Sequence, residues 1–451
     1  MTTFRLTKKL HDEMMEFLFQ DENESAMLGL CSYNTFMGQN FIMLHRLIKV
    51  PHEICERYPN FISWPTEFCD EYLDTALTDN MTLVKFHCHP SDYRQFSTTD
   101  DSSDVQLFDY FNAYFNDGRP TASLVVVPNG FMFGRLISNE GKFNSIDKIS
   151  IIGERQLYYS DDDNVVLPEF LIRNKQVFGK ATTETLRKLK IGVVGCSGLG
   201  SPTILELARS GVGELIIVDD DTIEIENLNR IFGASLNDIG KTKVEFFKEK
   251  IESFGLNVKV TGLNENICKS QLSLMQLSTC DHIFGCIDKY LPREIINRLT
   301  TFFIIGYTDL SVGLKPDGEG GINSMVGWVR YLLPGGSSLM TRGMYNSVDL
   351  ESEALELFSP EDYKIKKQAG YLAEVNEGSP TVICLNTTVA SLAVTDFLHR
   401  IHGFKYKKEL GFCIDFCENV IEEEDAFPEN LMLADSIGKG KTSPFLDLNF
   451  Y

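Results

Sequence analysis

Short apolar runs of differing spacing cover the first part of the chain, to about residue 145. The run "SAMLGLCSY" (25–33) is typical of a buried strand, and "DVQLFDYFNAYF" (104–115) has apolar residues at helical spacing. Two apolar runs flank Asn129 and Gly130 in "ASLVVVPNGFMFGRLI", which predicts a hairpin because both turn residues tolerate positive φ. The polar segment "SDDDNVV" (160–166) then predicts a linker.

From about residue 165 strands alternate with helices. The segment "LKIGVVGCSGLGSPTILELARSGVGELIIVDDD" (189–221) predicts a strand, a glycine turn, a helix and a strand. Further buried strands are predicted at "HIFGCID" (282–288) and "FFIIGYTD" (302–309), and a long helix at "TVICLNTTVASLAVTDFLHRI" (381–401). This alternation favours an α/β protein with a parallel, doubly wound sheet. The chain after roughly His402 is predicted to be irregular, with "IEEEDAF" (421–427) as a solvated surface segment.

Composition narrows the class of protein. The 451 residues suggest two or three domains, and 43% hydrophobic residues suffice for ordinary cores. A formal net charge of −22 argues against nucleic acid or an anionic membrane as partner. Eleven scattered cysteines and the absence of a signal-peptide pattern or an apolar run of membrane-spanning length favour the cytoplasm.

The stretch "KFHCHPSDYRQFSTTD" (85–100) concentrates residues that bind metals. His87 and His89 end a predicted strand, where positions i and i+2 share a face, so both imidazoles can reach one ion. Asp100 follows at loop distance as a third ligand, which leaves one position for water, as in catalytic zinc sites. Ser97 precedes Asp100 by one helical turn. Zinc lowers the pKa of its water to about 7, and Glu24 is the upstream candidate for the base, with Glu22 nearby.

A histidine pair of this kind is a weak signal alone, but the full set of glutamate, "HCHP", serine and aspartate is restrictive. The set resembles the JAMM signature of the JAB/MPN metalloprotease family, which includes deubiquitinases, over about residues 1–140. The resemblance implies that His87, His89 and Asp100 ligate zinc. It further implies that Glu24 is the general base and that Ser97 stabilises the oxyanion.

The second constellation begins with "VVGCSGLGS" (193–201), between a predicted strand and helix. Three glycines allow a tight turn and close approach of the backbone to a phosphate: Gly195, Gly198 and Gly200. Asp219 ends the next strand, where a carboxylate can bind ribose hydroxyls. The glycine loop alone would favour a dinucleotide-dependent oxidoreductase.

The residues downstream favour a triphosphate instead. Asn227, Arg230 and Lys243 offer two cations and an amide, which suit a triphosphate better than a pyrophosphate bridge. Asp288, at the end of another strand, is a candidate magnesium ligand. Taken singly, Arg230 and Lys243 are also compatible with ordinary surface charges.

Together the patterns D-x-D, N-L-x-R, G-x-x-K-V and C-x-D resemble the ThiF/MoeB/HesA family of ubiquitin-activating-type adenylyltransferases, over about residues 173–400. The resemblance implies that Asp219 and Asp221 bind the nucleotide, with Asp219 on the ribose. The three residues named above would address the phosphates, and Asp288 would bind magnesium. Arg173 resembles the arginine that members of this family insert into the ATP site of a dimer partner.

Two departures from this family concern chemistry. Ser197 replaces the second glycine of the loop, and Ser338 and Thr341 stand where related chains often carry a zinc-binding CxxC pair. Cys384 is a candidate for a thioester step, but its apolar surroundings favour a buried structural thiol. Cys413 and Cys417 are metal ligands or core residues, and core residues are favoured.

These resemblances imply three segments: a JAB/MPN-like zinc metalloprotease domain at 1–150, a Rossmann-like ThiF-type domain at 165–400, and a tail at 401–451 packing on the ThiF-type domain. The implied function is ATP- and magnesium-dependent adenylation of the C-terminal glycine of a ubiquitin-like protein, with zinc-dependent cleavage at such tails, as in a fusion of the bacterial kind. Implied partners are that protein or a glycine-ended peptide, a conjugating enzyme, and a second copy of the chain.

Two alternatives remain open. One is an adenylyltransferase of a sulfur carrier or a peptide, similar to those of thiamin, molybdopterin or microcin synthesis, without a thioester step. The other is a non-catalytic scaffold. An adjacent gene that encodes a small carrier or a short peptide would favour the first alternative. A measurement of zinc and ATP binding would test the second.

Overall fold

The computed structural model describes residues 1–138, 140–160, 166–368, 382–403 and 410–440. Of the predicted linker, residues 161–165 lie outside these ranges. The described chain forms two compact units. The first takes the residues up to Ser160, together with Phe302–Ile304 and Ser436–Gly440, and the second takes the remainder.

The first unit is a mixed sheet with helices on both faces. Its elements are β1 (Thr2–Thr7), α1 (Lys8–Leu18), β2 (Ala26–Phe36), β3 (Gln39–Lys49), β4 (Glu56–Tyr58), β5 (Phe61–Ser63), α2 (Asp70–Thr78), β6 (Thr82–Cys88), α3 (Thr98–Phe115), β7 (Thr121–Val126), β8 (Met132–Ile137), β9 (Phe143–Ser145), β10 (Lys148–Ile152) and β11 (Gln156–Ser160). Nine strands form one sheet in the order β11-β10-β1-β3-β2-β6-β7-β8-β9, and β4 and β5 form a separate hairpin.

Alternating side chains of this sheet build two cores. One core packs Met14 and Leu18 of α1 against the sheet, and the other packs Leu73 of α2 and Phe108 of α3 against the opposite face. The central strand β6 is buried along its whole length, so its side chains point into protein on both faces. The predicted hairpin is present, because β7 and β8 pair antiparallel on either side of Gly130, which has φ +80°.

The second unit has an eight-stranded sheet. Its elements are α4 (Ile172–Lys188), β12 (Lys190–Val194), α5 (Gly200–Ser210), β13 (Glu214–Val218), α6 (Lys243–Ser253), β14 (Lys259–Leu263), α7 (Gln271–Ser278), β15 (His282–Gly285), α8 (Tyr290–Phe303), β16 (Gly306–Pro316), β17 (Ile322–Leu332), α9 (Ser347–Phe358), α10 (Pro360–Gln368), α11 (Ile383–His402), β18 (Gly411–Asp415), β19 (Val420–Glu423) and α12 (Leu431–Ala434).

The sheet order β14-β13-β12-β15-β16-β17-β18-β19 confirms the predicted doubly wound α/β fold. The first five strands are parallel and follow the Rossmann order 3-2-1-4-5, with β12 as the first strand. Their carboxyl ends bring the glycine turn and the loops that carry Asp219 and Asp288 to one edge of the sheet. Ligands bind at this edge in open α/β sheets.

Two predictions of secondary structure are wrong. The segment after His402 is not irregular throughout, because β18 and β19 extend the sheet antiparallel to β17 and take up the start of the acidic run. The predicted strand at 302–309 begins only at Gly306, because Phe302 and Phe303 end α8. A short apolar run is compatible with a buried strand or with the buried end of a helix, and the sequence pattern alone does not distinguish the two.

Among the described helices, none combines the length and the apolar character that crossing a bilayer requires.

Candidate functional site

The first candidate site lies at the end of β6. His87 and His89 point to the same side of the strand, and their ring centroids are 5.1 Å apart. His87 Nε2 lies 3.0 Å from Asp100 Oδ1, and His89 Nε2 lies 3.5 Å from Asp100 Oδ2. The structure therefore brings the three predicted metal ligands together.

Asp100 reaches this position because it lies in the first turn of α3, directly after the N-cap residue Ser97. Ser97 caps the helix, accepting a hydrogen bond from the Asp100 backbone N–H at 3.1 Å, while Asp100 Oδ2 accepts from the Ser97 N–H at 2.6 Å. This capping box fixes the first turn of the helix. The Ser97 hydroxyl also donates to Asp100 Oδ2 at 2.7 Å, so in this state it is engaged with the ligand carboxylate.

The donor set fits a zinc ion. One ligand atom from each of the three residues lies within 4.8 Å of the others, and all three residues are buried. His87 Nδ1 is buried without a hydrogen-bond partner among the described residues, and His87 Nε2 faces the Asp100 carboxylate at 3.0 Å without forming a well-aligned hydrogen bond. The ring of His89 is oriented by a 2.8 Å bond between Nδ1 and the Tyr93 carbonyl, which leaves Nε2 for a metal. Orphaned imidazole nitrogens beside a carboxylate are what a ligand set without its ion leaves behind.

Electrostatics separate the two carboxylates of the site. Burial alone would raise the pKa of Asp100, but the two neighbouring imidazoles and the Ser97 hydroxyl hold that pKa well below its usual range. Burial raises the pKa of Glu24 to about 7, although His89 opposes the shift. Glu24 is 5% exposed and interacts electrostatically with His89 and Asp100, which places it beside the site, whereas Glu22 is exposed to solvent.

Arg57, which the sequence analysis missed, holds the segment that carries Glu24. Its Nε donates to the Glu24 carbonyl at 2.7 Å, and its Nη2 donates to the Ser25 hydroxyl at 2.7 Å. A bidentate pair with Asp21 fixes the guanidinium, at 2.9 and 3.1 Å. Arg57 lies on β4, far from Glu24 in sequence, so no local motif announces the contact.

Cys88 also holds the segment that carries Glu24, through the neighbouring residue Ser25. Its thiol accepts a hydrogen bond from the Ser25 N–H at 3.2 Å and donates to the Leu18 carbonyl at 3.0 Å. Burial raises the pKa of Cys88 to about 12, so the thiol is neutral. Its two hydrogen bonds connect the end of α1 to the residue that precedes β2.

A buried ionic network lies next to His87, on the same face of β6. Lys85 Nζ bonds Asp104 Oδ1 at 2.8 Å, and Arg135 Nη2 bonds Asp104 Oδ2 at 2.7 Å. Asp104 stands one helical turn after Asp100, so this network fixes α3 at the depth that the Asp100 carboxylate requires. Its residues are far apart in sequence, and only the i+4 spacing of Asp100 and Asp104 hints at it.

The second candidate site surrounds the glycine turn after β12. Gly195 has φ +90°, a conformation that glycine adopts without strain. A Cβ at Gly195 would overlap the Cys286 carbonyl, and a Cβ at Gly200 would overlap the Gly195 carbonyl. Two of the predicted glycines are therefore required by close backbone approach, and the turn that they form leads into the N-terminus of α5.

Asp219 and Lys243 form a buried pair next to this turn. Lys243 Nζ lies 3.4 Å from Asp219 Oδ1 and 2.6 Å from Asp221 Oδ2. Asp219 also accepts hydrogen bonds from the N–H groups of Cys196 at 2.6 Å and Asp221 at 3.0 Å. Burial raises the pKa of Asp219 and would lower that of Lys243, but the two carboxylates hold the pKa of Lys243 above its ordinary value.

The other predicted nucleotide ligands lie on the loops around the same edge. Asn227 is buried, and its Oδ1 accepts from the Glu224 N–H at 3.2 Å. Ser201 at the start of α5 donates to the Arg230 carbonyl at 3.4 Å, which ties the Arg230 loop to the glycine turn. Asp288 is exposed in the loop after β15, the strand that pairs with β12.

Arg173 lies on the exposed side of α4, and its Nη1 donates to Gln176 Oε1 at 2.9 Å. The helix breaks at Gly179, with φ 78° and ψ 171°, so the turn that carries Arg173 is separated from the rest of α4.

The cysteine predictions need correction. Cys384 is exposed in the first turn of α11, not buried, because the apolar stripe of that helix runs through Leu385 and Val389 instead. Cys417 is exposed and Cys413 is half-buried, so neither is a core residue. The metal-like clusters found among the described residues contain no cysteine.

Ser338 and Thr341, at the place of the family's CxxC pair, form a hydrogen-bonded clip. The Ser338 N–H donates to the Thr341 hydroxyl at 2.9 Å, and Asn430 Nδ2 donates to the Ser338 hydroxyl at 2.9 Å. Asn430 also bonds the Gly336 carbonyl through its N–H at 3.0 Å. The clip joins two distant segments, which is the task of a structural metal.

Comparison with known proteins bears on the second unit. The sequence profile of the ThiF family matches residues 171–417. The chain is 32% identical over 169 residues to adenylyltransferase and sulfurtransferase UBA4 of Debaryomyces hansenii, covering 36% of each chain. It is 30% identical over 166 residues to ubiquitin-like modifier-activating enzyme 5 of Dictyostelium discoideum, covering 34% of this chain and 41% of that one. It is 38% identical over 91 residues to the tRNA threonylcarbamoyladenosine dehydratase of Bacillus subtilis, covering 20% and 36%.

The chain thus spans roughly two fifths or less of the length of these relatives. Among solved structures, E. coli MccB with MccA-N7isoASN is 20% identical, with a TM-score of 0.45, and covers 58% of this chain and 74% of that one.

Proposed function

The chain belongs to the ThiF family, and we propose that its second unit binds ATP and adenylates the C-terminal carboxylate of a glycine-ended protein or peptide tail. The observation that supports this most directly is the convergence of the glycine turn, the Asp219–Lys243 pair and the Arg230 and Asp288 loops at one sheet edge. Relatives include enzymes named as adenylyltransferases and as activators of ubiquitin-like modifiers.

In the proposed reaction, a carboxylate oxygen of the tail attacks the α-phosphorus of ATP. The bond from that phosphorus to the β-phosphate oxygen breaks, pyrophosphate leaves, and a tail–AMP mixed anhydride forms. Asp219 binds the ribose, while Asn227, Arg230 and Lys243 hold the phosphates and neutralise charge on them. Asp288 would hold magnesium, which when bound offsets the charge of the leaving pyrophosphate.

The test is ATP–pyrophosphate exchange in the presence of candidate ubiquitin-like proteins. Exchange should require the terminal glycine and should be lost in Asp288→Ala. Asp362→Ala, which removes an exposed carboxylate on α10, is the matched control and should exchange like the wild type. Equal exchange by Asp288→Ala and Asp362→Ala would contradict the role given to Asp288.

For the first unit we propose a zinc-dependent hydrolase that cleaves the amide bond after such a tail. Orphaned nitrogens on buried His87, beside His89 and Asp100, support this assignment. Zinc would be held by these three residues and, when bound, supplies a Lewis acid and a water of lowered pKa. Glu24 would take the proton of the attacking water and pass it to the leaving amine, and Arg57 and Cys88 hold its segment in place.

Two readouts test the hydrolase. His89→Ala should lose both bound zinc and cleavage of a glycine-ended tail joined to a lysine side chain. Glu24→Gln should keep the zinc and lose the cleavage, because its carboxylate is not among the ligands. His52→Ala, which alters a histidine of the same unit away from the cluster, should retain both. Undiminished zinc content in His89→Ala would contradict the metal site.

Joining the two activities on one chain raises the local concentration of each around a shared tail.

We further propose that the second unit pairs with a second copy of the chain and that Arg173 reaches the partner's nucleotide. Exposed apolar side chains support this proposal: Val177 on α4 is 72% exposed and Leu236 is 70% exposed. Val177→Glu should convert a dimer into a monomer in light scattering, and a monomeric wild-type protein would contradict the proposal.

A further inference from the structure

Asn386 is a buried amide side chain on a helix face that is apolar over the next two turns. It lies in the first turn of α11 and is 1% exposed. The residues that follow it at helical spacing, Val389, Ala390 and Ala393, are fully buried and apolar. A polar group at such a position costs free energy unless it is hydrogen-bonded.

The amide of Asn386 has no such bond. Neither Nδ2 nor Oδ1 has a hydrogen-bond partner within the part of the chain that the structure describes. Buried side-chain amides are nearly always satisfied, and an unsatisfied one calls for a ligand or another specific explanation. Asn386 thus offers a buried hydrogen-bond donor and a buried acceptor that no described residue uses.

The side chain is aimed at the glycine turn. A Cβ at Gly198 would overlap the Asn386 amide nitrogen, so the amide packs directly against Gly198. Ser197, the neighbouring residue of the turn, also has a buried hydroxyl with no hydrogen-bond partner among the described residues. Two elements, the β12–α5 turn and α11, therefore each carry an unused polar group next to Gly198.

The chemistry of this place suits an anionic oxygen. The turn precedes α5, and the N–H groups of a helix start favour anions. The Asn386 amide adds two N–H donors, and the Ser197 hydroxyl adds a third donor. Lys243 and the Cys196 N–H contact the Asp219 carboxylate and offset part of its negative charge near the turn.

We propose that Asn386 and Ser197 hydrogen-bond a phosphate oxygen of the nucleotide at the glycine turn. This inference rests on the proposed ATP site and adds Asn386, from outside the patterns that the sequence identified, and Ser197, from within the glycine loop. It also gives the departure at Ser197 a function, because a hydroxyl supplies there a donor that glycine lacks.

Calorimetry with ATP, AMP and adenosine tests the proposal on the full chain. Asn386→Leu should weaken ATP and AMP binding about tenfold or more, the loss expected for a hydrogen bond to a charged group. Adenosine, which has no phosphate, should bind Asn386→Leu as it binds the wild type. Ser197→Ala should weaken ATP in the same direction. Thr388→Leu, an exposed position in the next part of the same helix, is the matched control and should leave all three unchanged.

A stability measurement separates a ligand-binding amide from a structural one. Without nucleotide, Asn386→Leu should unfold at the same or a higher temperature than the wild type, because it removes an unsatisfied buried amide. A structural amide would instead give a lower unfolding temperature on replacement. If Asn386→Leu does not fold, that result overturns the inference, since it assigns the amide a structural role.

The outcomes distinguish this inference from the proposed function. If the wild type binds ATP and Asn386→Leu binds it equally well, the inference alone is overturned. An equal loss of ATP and adenosine binding also overturns it, since the phosphate would then play no part. Failure of the wild type to bind ATP overturns the proposed function and this inference with it.

Discussion

The buried pair of Lys243 and Asp219 makes a quantitative prediction for Lys243→Met. Lys243 is 4% exposed, and its Nζ contacts Asp219 at 3.4 Å and Asp221 at 2.6 Å. Methionine keeps most of the side-chain volume but leaves the buried Asp219 carboxylate without its cation. Two backbone N–H donors remain on Asp219, so we expect a loss of about 2–3 kcal/mol in the free energy of unfolding of the second unit, below the roughly 3–5 kcal/mol typical of a broken buried pair.

The assay is urea unfolding followed by tryptophan fluorescence. The chain has two tryptophans, Trp64 in the first unit and Trp328 in the second, so a Trp64→Phe background reports on the second unit alone. Asp219→Asn should destabilise this unit as well. The double variant should lose less than the sum of the two single losses, by about 1 kcal/mol or more, because the residues are in contact.

Lys241→Met is the matched control. Lys241 pairs with Glu249 at 2.8 Å on the surface and is 39% exposed, so its replacement should leave the unfolding midpoint close to that of the wild type. Equal unfolding midpoints for Lys243→Met and Lys241→Met, or strict additivity of the two pair variants, would refute the reasoning.

Three further predictions address other parts of the chain. Arg57→Ala should leave bound zinc unchanged but lower cleavage by about 10- to 100-fold, because a small displacement of the Glu24 segment misplaces its carboxylate; metal analysis and initial rates check this. Asn430→Ala should destabilise the second unit by about 1–2 kcal/mol in urea unfolding, since it removes a helix cap and the bond to Ser338. Burial lowers the pKa of His282 well below its ordinary value of 6.5, so the unfolded chain binds a proton there that the folded chain refuses. The contribution of the neutral His282 to the free energy of unfolding is therefore fully present above pH 6.5 and decreases as the pH falls below 6.5. His282→Gln should reduce the slope of the unfolding free energy against pH, below pH 6.5, by up to about 1.4 kcal/mol per pH unit.

Local pattern was sufficient for the parallel, doubly wound part of the second unit. Buried runs alternate with helical segments from Lys190 to Gly306, and that alternation implies parallel strands with helical crossovers. The strands β18 and β19 escaped prediction because edge strands carry exposed polar residues, such as those of β19, and their pairing depends on β17 far away in sequence.

The candidate sites were predictable where the ligands are close in sequence. His87 and His89 share a face by strand geometry, and Ser97 and Asp100 are joined by one helical turn. The residues that support these ligands were not predictable, because Arg57 reaches the Glu24 segment through tertiary structure alone. Asn386 did leave a signal, a single amide on the apolar stripe of α11, but only the structure shows that it faces Gly198.

The central claim, that the second unit activates a glycine-ended tail with ATP, is tested most directly by trapping the activated tail. The protein is incubated with ATP, magnesium and a candidate ubiquitin-like protein, then treated with hydroxylamine, which displaces AMP from an acyl adenylate and leaves a hydroxamate. Mass spectrometry should locate the hydroxamate on the terminal glycine, in amounts that depend on ATP and fall to background in Asp288→Ala. A tail that stays unmodified with every candidate partner, while the protein binds ATP, would contradict the account.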